Sequence, residues 1–214
     1  METKRFGGPK NTCYMINITL FIGLTFLLSY SSFALHAQER HDYDISILGI
    51  SIGEMIATKE LKEDTTYFRL KSEVSFWFFG RIHLDYMTEV KYHQGQFIES
   101  TVRSKTNRGD FLSRIWLEND VYEVRANSYK YEFNTQIQEK IHYSAVRLFF
   151  EEPRGKDRMM TENHGKFATI TPLGDGAYDT YVEGNENSYQ YKNGQLQEVS
   201  MDNPIKNYVI SRKQ

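Results

Sequence analysis

The feature that most restricts the fold of this chain is a period-two alternation of apolar and polar side chains. Between residues 82 and 92, Ile82, Leu84, Tyr86, Val90 and Tyr92 alternate with His83, Asp85, Met87, Glu89 and Lys91. Residues 68–78 follow the same pattern. Such alternation is typical of antiparallel strands with one covered and one wet face. The chain is therefore predicted to be all-β with minor α.

Turn signals separate the alternating runs. Asn193-Gly194 is the strongest, because this dipeptide readily supplies the positive φ that both central positions of a type I′ turn need. Gln94-Gly95 and Gly174-Asp175-Gly176 mark further turns. The 15 Tyr, 14 Phe and 2 Trp among 214 residues also favour strands. We predict a strongly curved antiparallel sheet or incomplete β-barrel of roughly a dozen strands.

One segment departs from period two. Ile137, Ile141, Ala145 and Leu148 fall on a helical stripe, and residues 135–138 have the form of a capping box. We predict one helix near 137–150 that lies against the mouth or concave face of the sheet. A continued strand is the competing interpretation. Residues 151–166 include eight charged side chains in sixteen and are predicted to form a solvated loop, with a mobile lid as the alternative.

The N-terminal region is predicted to be a signal peptide spanning residues 1–37. Residues 11–38 contain no Asp, Glu, Lys or Arg, and the 11-residue apolar run Ile18–Leu28 is too short for a membrane span. Cleavage is expected near Ala34 or Ala37, whether synthesis starts at Met1 or Met15. Residues 38–214 would then form a single exported domain, periplasmic or extracellular, without a membrane span. An uncleaved N-terminal anchor is the alternative.

Composition and motifs exclude several classes of function. Cys13 is the single cysteine, so a disulfide scaffold and a multi-cysteine metal centre are excluded. A formal net charge of -2 gives no electrostatic basis for nucleic-acid binding. His83 and Asp85 would share a strand face, but that face is polar, so two solvated side chains are expected. We predict no metal, no cofactor and no catalytic residue, and an enzyme acting on envelope polymers is only the third hypothesis.

The favoured hypothesis is non-catalytic binding of a lipid or another hydrophobic molecule inside the curved sheet. Small side chains at Ser72, Ser100 and Ser104 would leave room between larger ones. The predicted pocket lining is Phe68, Leu70, Val74, Phe76, Leu84, Tyr86, Val90, Ile98 and Val102.

A second hypothesis is an envelope interaction module that binds a protein partner. Trp77 and Phe79 share a strand face with charged residues, and Trp116 shares one with Arg114 and Glu118. Exposed rings of this kind mark interaction surfaces. The alternative is that residues 76–79 are buried on both sides beneath the helix or the 151–166 loop.

Three short segments carry a resemblance to a known group. Residues 43–54 read Tyr-Asp-Ile-Ser-Ile-Leu-Gly-Ile-Ser-Ile-Gly-Glu, residues 143–147 read Tyr-Ser-Ala-Val-Arg, and residues 191–196 read Tyr-Lys-Asn-Gly-Gln-Leu. Together they resemble a group of exported bacterial proteins of unknown function. The resemblance implies a lipoprotein-carrier-like curved sheet or barrel, and it implies no substrate, cofactor or catalytic residue. Gly49 and Gly53 fit it physically, because glycine in a strand pattern marks a bulge, a bend or a close backbone approach.

Overall fold

A computed structural model describes residues 1–3, 38–77, 81–129, 131–202 and 206–214 of the protein. The predicted signal peptide therefore lies almost entirely outside the described residues. Fourteen antiparallel strands form one curved, unclosed sheet, which confirms the predicted all-β class. The strands are β1 (Gln38–Ile47), β2 (Ile50–Lys62), β3 (Thr65–Trp77), β4 (Arg81–His93), β5 (Gln96–Thr106), β6 (Gly109–Glu118), β7 (Val121–Ser128), β8 (Tyr131–Ile137), β9 (Arg158–Thr161), β10 (Lys166–Gly174), β11 (Ala177–Val182), β12 (Asn185–Lys192), β13 (Gln195–Met201) and β14 (Tyr208–Arg212).

The sheet is a meander with one long-range pairing. Consecutive strands pair from β1 to β8 and from β9 to β14, and β1 pairs with β14, which places Tyr43 opposite Arg212 and Ile45 opposite Ile210. The two ends of the sheet are therefore β8 and β9, which follow each other in the chain. This order curls the sheet into an incomplete barrel.

The two edge strands approach each other through side chains. The Tyr131 hydroxyl of β8 donates to the His164 carbonyl, 2.8 Å away, in the turn that follows β9. The Lys166 ammonium lies 4.4 Å from the centroid of the Phe133 ring. Within the described residues, no ladder of backbone hydrogen bonds joins β8 to β9. We call this side-chain contact between the edges the seam.

Glycines sit where the sequence predicted backbone constraints. Asn193 and Gly194 have φ of 54° and 78°, the two positive values of a type I′ turn. A Cβ on Gly53 would lie 2.2 Å from the Glu73 carbonyl oxygen, so β2 and β3 approach closely there. The register between β1 and β2 shifts at the same place, between Ile45 and Ser46. The expectation of a bulge and a close approach is confirmed.

The chain between β8 and β9 passes through the interior of the barrel. We call residues 138–157 the plug. Tyr43 and Tyr191 donate to the carbonyls of Phe149 and Leu148, at 3.1 and 2.7 Å, and Leu148 is fully buried. The Tyr92 hydroxyl donates to the Ser144 hydroxyl at 2.8 Å. Tyrosines of the barrel wall therefore hold the plug by its backbone and by a polar side chain.

The helix predicted near 137–150 is much shorter than expected. Strand β8 continues to Ile137, and only Ala145–Phe149 are helical, as a single 3₁₀ helix. The apolar residues that suggested a helical stripe are apolar because the barrel wall surrounds them. Their backbone groups bond to that wall, as at Phe149, and do not need an α-helical ladder. In the described part of the chain, no helix is long and apolar enough to cross a membrane.

Residues 151–166 are not simply the solvated loop that their charge predicted. Met159 and Met160 belong to β9 and are at most 3% exposed, and the adjacent Glu162 is also buried. The charged Arg154 and Lys156 do face solvent. Part of this segment therefore completes the core, and the charges that surround it concealed this in the sequence.

Candidate functional site at the open end of the barrel

The two ends of the barrel are filled to different degrees. At the end that holds the plug, inward-facing side chains such as Tyr92, Phe97 and Leu196 are at most 2% exposed. At the opposite end, inward-facing side chains keep accessible surface even though their neighbours on the same strands are buried. We call this end the mouth and define it by the partly buried, inward-facing side chains of Phe76, Leu84, Tyr86, Ser104, Met201 and Tyr208.

The register of the strands brings the mouth residues together. Tyr86 on β4 lies opposite Ser72 on β3 and Ser104 on β5. Met201 on β13 lies opposite Tyr208 on β14. Directly opposed residues of paired strands face the same side of a sheet. The mouth therefore has a mainly apolar wall that carries two phenol groups and a small residue.

The phenol groups of the mouth lie in a weakly polar environment. Burial raises the pKa of Tyr208 to about 12, and no other cause contributes. Burial also raises the pKa of Tyr86, against the opposing effect of a hydrogen bond with Thr88. Both groups stay neutral at physiological pH and offer hydrogen bonds without charge.

A buried carboxyl group lies between the mouth and the plug. Glu162 accepts a hydrogen bond from the Val146 amide at 3.1 Å and also bonds to Ser144 at the start of the 3₁₀ helix. Burial raises the pKa of Glu162 even though these bonds favour the carboxylate. The negative charge of the ionised Glu162 carboxylate helps to raise the pKa values of Tyr86 and Tyr189. Sequence reasoning missed Glu162 because it lies within a strongly charged segment.

The predicted pocket lining divides between the core and the mouth. Phe76, Leu84 and Tyr86 line the mouth, as does Ser104. The other inward-facing residues of the prediction are packed in the core and do not line an open space. These are Phe68, Leu70, Val74, Val90 and Val102. Phe68, for example, packs against Phe150 of the plug, with 5.3 Å between the ring centroids and the ring planes tilted by 56°.

Ile98 does not occupy the inward position that the alternation assigned to it. The register between β4 and β5 shifts beside it, pairing Tyr92 with Phe97 and Lys91 with Glu99, so Ile98 is the extra residue of a bulge. Phe97 takes the buried position and Ile98 is partly exposed. A bulge changes the parity of a strand by one residue, so the prediction for Ile98 was wrong.

The predicted aromatic patch does not form a single surface. Trp77, at the end of β3, is 78% exposed. Trp116 lies three strands away on β6, only partly exposed, with the guanidinium groups of Arg114 and Arg125 each 5.3 Å from its ring. Phe79 lies outside the described residues. Trp116 is therefore covered by arginines, and of the two described members of the patch Trp77 is the one that is free for contact.

Potential metal ligands converge at one place on the outer face. Glu73 lies directly opposite Asp85, and the His83 Nε2 is 3.4 Å from an Asp85 carboxylate oxygen. Their ligand atoms all lie within 4.8 Å of one another. The side chains of His83 and Asp85 are about half exposed and therefore well hydrated. The sequence predicted that His83 and Asp85 share a strand face, and the β3–β4 register places Glu73 on the same face.

The outer face also carries an open groove of about 350 Å³ across β2 to β5. It is lined mainly by polar and charged side chains, including Thr58, Tyr67, Arg69 and Glu89. Arg69 and Glu89 pair within it, at 2.7 Å. This groove is therefore distinct from the apolar mouth.

Comparison with known proteins supports the architecture. The chain is similar to a beta-barrel-like protein from Brucella abortus that belongs to a domain of unknown function, DUF1849. The identity is 12%, the TM-score is 0.51, and the match covers 84% of this chain and 97% of that one. This likeness shows the fold alone. No curated protein sequence matches the chain. The domain of unknown function DUF6134 matches residues 43–213, so the chain belongs to the DUF6134 family.

Proposed function

We propose that this protein is an exported, non-catalytic binding protein whose mouth holds a lipid or another amphipathic molecule. The observation that carries the proposal is the contrast between the two ends of the barrel. Inward-facing apolar side chains such as Leu84 and Phe76 keep accessible surface at the mouth, whereas the plug fills the other end. Apolar recesses with a few polar groups are the usual form of small-molecule sites.

The polar groups of the mouth suggest how such a ligand would be oriented. Its apolar part would pack against Phe76, Leu84 and Met201. Its polar group would accept or donate hydrogen bonds with the neutral phenols of Tyr86 and Tyr208. A hydroxyl, ester or protonated acid suits these partners better than a bare charge, because burial disfavours charge in this recess.

Export is supported by the sequence of residues 1–37, in which basic residues precede an apolar run that is too short for a membrane span. Removal of these residues would leave every described strand intact and would also remove Cys13. N-terminal sequencing of the protein from fractionated cells should find a start near Gln38. A cytoplasmic protein that retains residues 1–37 would contradict export.

The ligand proposal is tested by filling the mouth. Ser104 lies opposite Tyr86 and Phe111, so Ser104→Trp places a large ring inside the recess. We expect saturable binding of the uncharged methyl ester of dansyl-undecanoic acid to the wild type and a dissociation constant at least about tenfold weaker for Ser104→Trp, since the ring occupies the ligand's volume. Fluorescence titration measures both.

The matched control is Thr101→Trp, which adds the same ring to the outer face of β5. Thr101 lies opposite Glu89 and Arg114, among residues that face away from the mouth. Binding to this variant should equal that of the wild type. The proposal fails if the wild type binds no probe and native mass spectrometry of protein from its own envelope finds no lipid.

A further inference from the structure

Large apolar side chains protrude from the turns that surround the mouth. Leu48, Ile50 and Trp77 are 83%, 70% and 78% exposed. Leu48 lies in the β1–β2 turn, Ile50 begins β2, and Trp77 ends β3. Continuing the β2–β3 register beyond Gly53 and Val74 brings Ile50 level with Trp77. We call Leu48, Ile50 and Trp77 the rim cluster.

The backbone conformation of Leu48 is unfavourable for leucine, so neither folding nor packing explains why a leucine is exposed at this position. Leu48 has φ of 50°, in the left-handed region that a branched apolar residue rarely adopts. The other non-glycine residues of positive φ in the described chain are all polar: Glu63, Gln94, Asn119, Asp120, Asp175, Glu183 and Asn193. An asparagine would suit the turn better than leucine and would leave no apolar side chain in water. Strained residues of this kind occur where function requires the side chain.

Other turns at the same end of the barrel carry aromatic and basic side chains. Arg108 in the β5–β6 turn lies 5.4 Å from the centroid of the Tyr129 ring and donates to its hydroxyl at 3.3 Å. Lys105 and Lys206 are exposed at the same end of the barrel, as are the acidic side chains of Asp110 and Asp202. Tryptophan, tyrosine and basic side chains are the groups enriched where proteins meet lipid headgroups.

We propose that the mouth end of the barrel docks on a lipid bilayer through the rim cluster. The three side chains project from the β1–β2 turn and from the ends of β2 and β3. A bilayer accepts such projections without a complementary pocket. A protein partner would need matched cavities for each. The rim cluster also adjoins the mouth, so docking would place the mouth directly over the acyl chains. Docking deepens the proposed function by naming a bilayer as the ligand's source, but it does not require ligand binding.

The test is vesicle flotation with the chain beginning at Gln38, which contains all fourteen strands and the whole core. Vesicles of phosphatidylcholine and phosphatidylglycerol provide the surface. We expect the wild type to float with the vesicles. The double variant Leu48→Asn/Trp77→Gln should bind at least about tenfold less, because each lost apolar contact weakens partitioning.

The matched control carries the same kind of change at the opposite end. Leu61 and Leu173 are 56% and 58% exposed, at the ends of β2 and β10 beside the plug. Leu61→Asn/Leu173→Gln should float like the wild type. Equal losses in both double variants would overturn the proposal, because partitioning would then be unspecific.

Two further measurements separate the remaining outcomes. Leu48→Asn should raise the melting temperature while reducing flotation, which excludes unfolding as the cause of lost binding. Ser104→Trp should float normally even where its affinity for the methyl ester of dansyl-undecanoic acid is reduced, so failure of docking and failure of ligand binding are distinguishable. A wild type that does not float, but forms dimers that Trp77→Gln abolishes, would overturn the proposal in favour of a protein contact.

Discussion

At the scale of single residues, Glu162 gives the stability of the protein a pH dependence. Burial raises its pKa, and hydrogen bonds with Ser144 and Val146 only partly oppose that rise. The folded chain therefore keeps a proton on Glu162 at pH values where the unfolded chain has lost it. The contribution of this group to stability is fully present below the ordinary glutamate pKa and is lost as the pH rises through the raised value.

Glu162→Gln should remove that dependence. The amide oxygen can still accept from the Val146 amide, and the group no longer ionises. We expect the variant to match the wild type at about pH 4.5 and to exceed its free energy of unfolding at about pH 8. Urea unfolding at both pH values measures this. A difference between the two proteins that does not change with pH would contradict the prediction.

Glu162→Ala should destabilise the protein at every pH. The buried Val146 amide would lose its acceptor, which costs about 1–3 kcal/mol and adds to the cavity left by the shorter side chain. The same urea titrations test this. Stability equal to the wild type would mean that water replaces the carboxyl group at the start of the 3₁₀ helix.

Sequence reasoning at this scale succeeded where a residue's position follows from its strand alone. Alternation assigned Val74 and Val102 inward, and both are buried. It failed for Ile98, because a bulge has no reliable mark in the sequence. It also missed Glu162, whose burial depends on a barrel wall built by distant strands.

At the scale of elements, the turn between β9 and β10 packs against β7 and β8 near the seam. Gly165 has φ of 67°, and a Cβ there would lie 2.3 Å from the Val124 Cγ1. Gly165→Ala combines an unfavourable backbone conformation with a clash in the core. We expect it to lose about 3–5 kcal/mol of stability, measured by urea unfolding.

Gly184→Ala is the control for the backbone contribution alone. Gly184 has φ of 82° in the β11–β12 turn, and no atom lies within 4 Å of the position of its Cβ. The expected loss is about 1–2 kcal/mol. Equal losses in the two variants would show that the turn carrying Gly165 is not packed against β7.

Hairpins were the elements most accessible from the sequence, because their turns carry local signals such as Asn193-Gly194. The plug and β9 were not accessible, for a shared physical reason. Both contain a short buried run between charged residues, and the burial of that run depends on contacts with distant strands, which periodicity does not report. Ile141 in the plug and Met160 in β9 illustrate this, since both are fully buried.

At the scale of the whole molecule, β14 joins the two meanders. It pairs with β13 on one side and β1 on the other, and Ile210 is buried between Val199 and Ile45. Ile210→Ala should cost about 2–5 kcal/mol while unfolding remains a single transition, because the meanders share one core. Thermal unfolding followed by near-ultraviolet and far-ultraviolet circular dichroism tests this. Two separate transitions would show that the meanders fold independently.

The pairing of β1 with β14 was beyond sequence reasoning. It joins residues near opposite ends of the described sequence, such as Tyr43 and Arg212, and no local pattern specifies such a partner. The sequence did indicate a curved sheet, and it left open whether the interior was full or hollow. The two ends differ in the structure, since the plug fills one end, whereas the inward-facing side chains at the mouth are only partly buried.

The seam has a mechanical consequence. In a closed barrel, the number of strands and their stagger fix the circumference, and widening it means breaking backbone hydrogen bonds. Here the ring is split, and the edges are held by side-chain contacts such as Tyr131 on the His164 carbonyl. A split ring resists widening less at its gap than a closed ring does. Widening the ring at the seam therefore breaks side-chain contacts and, among the described residues, no ladder of backbone hydrogen bonds.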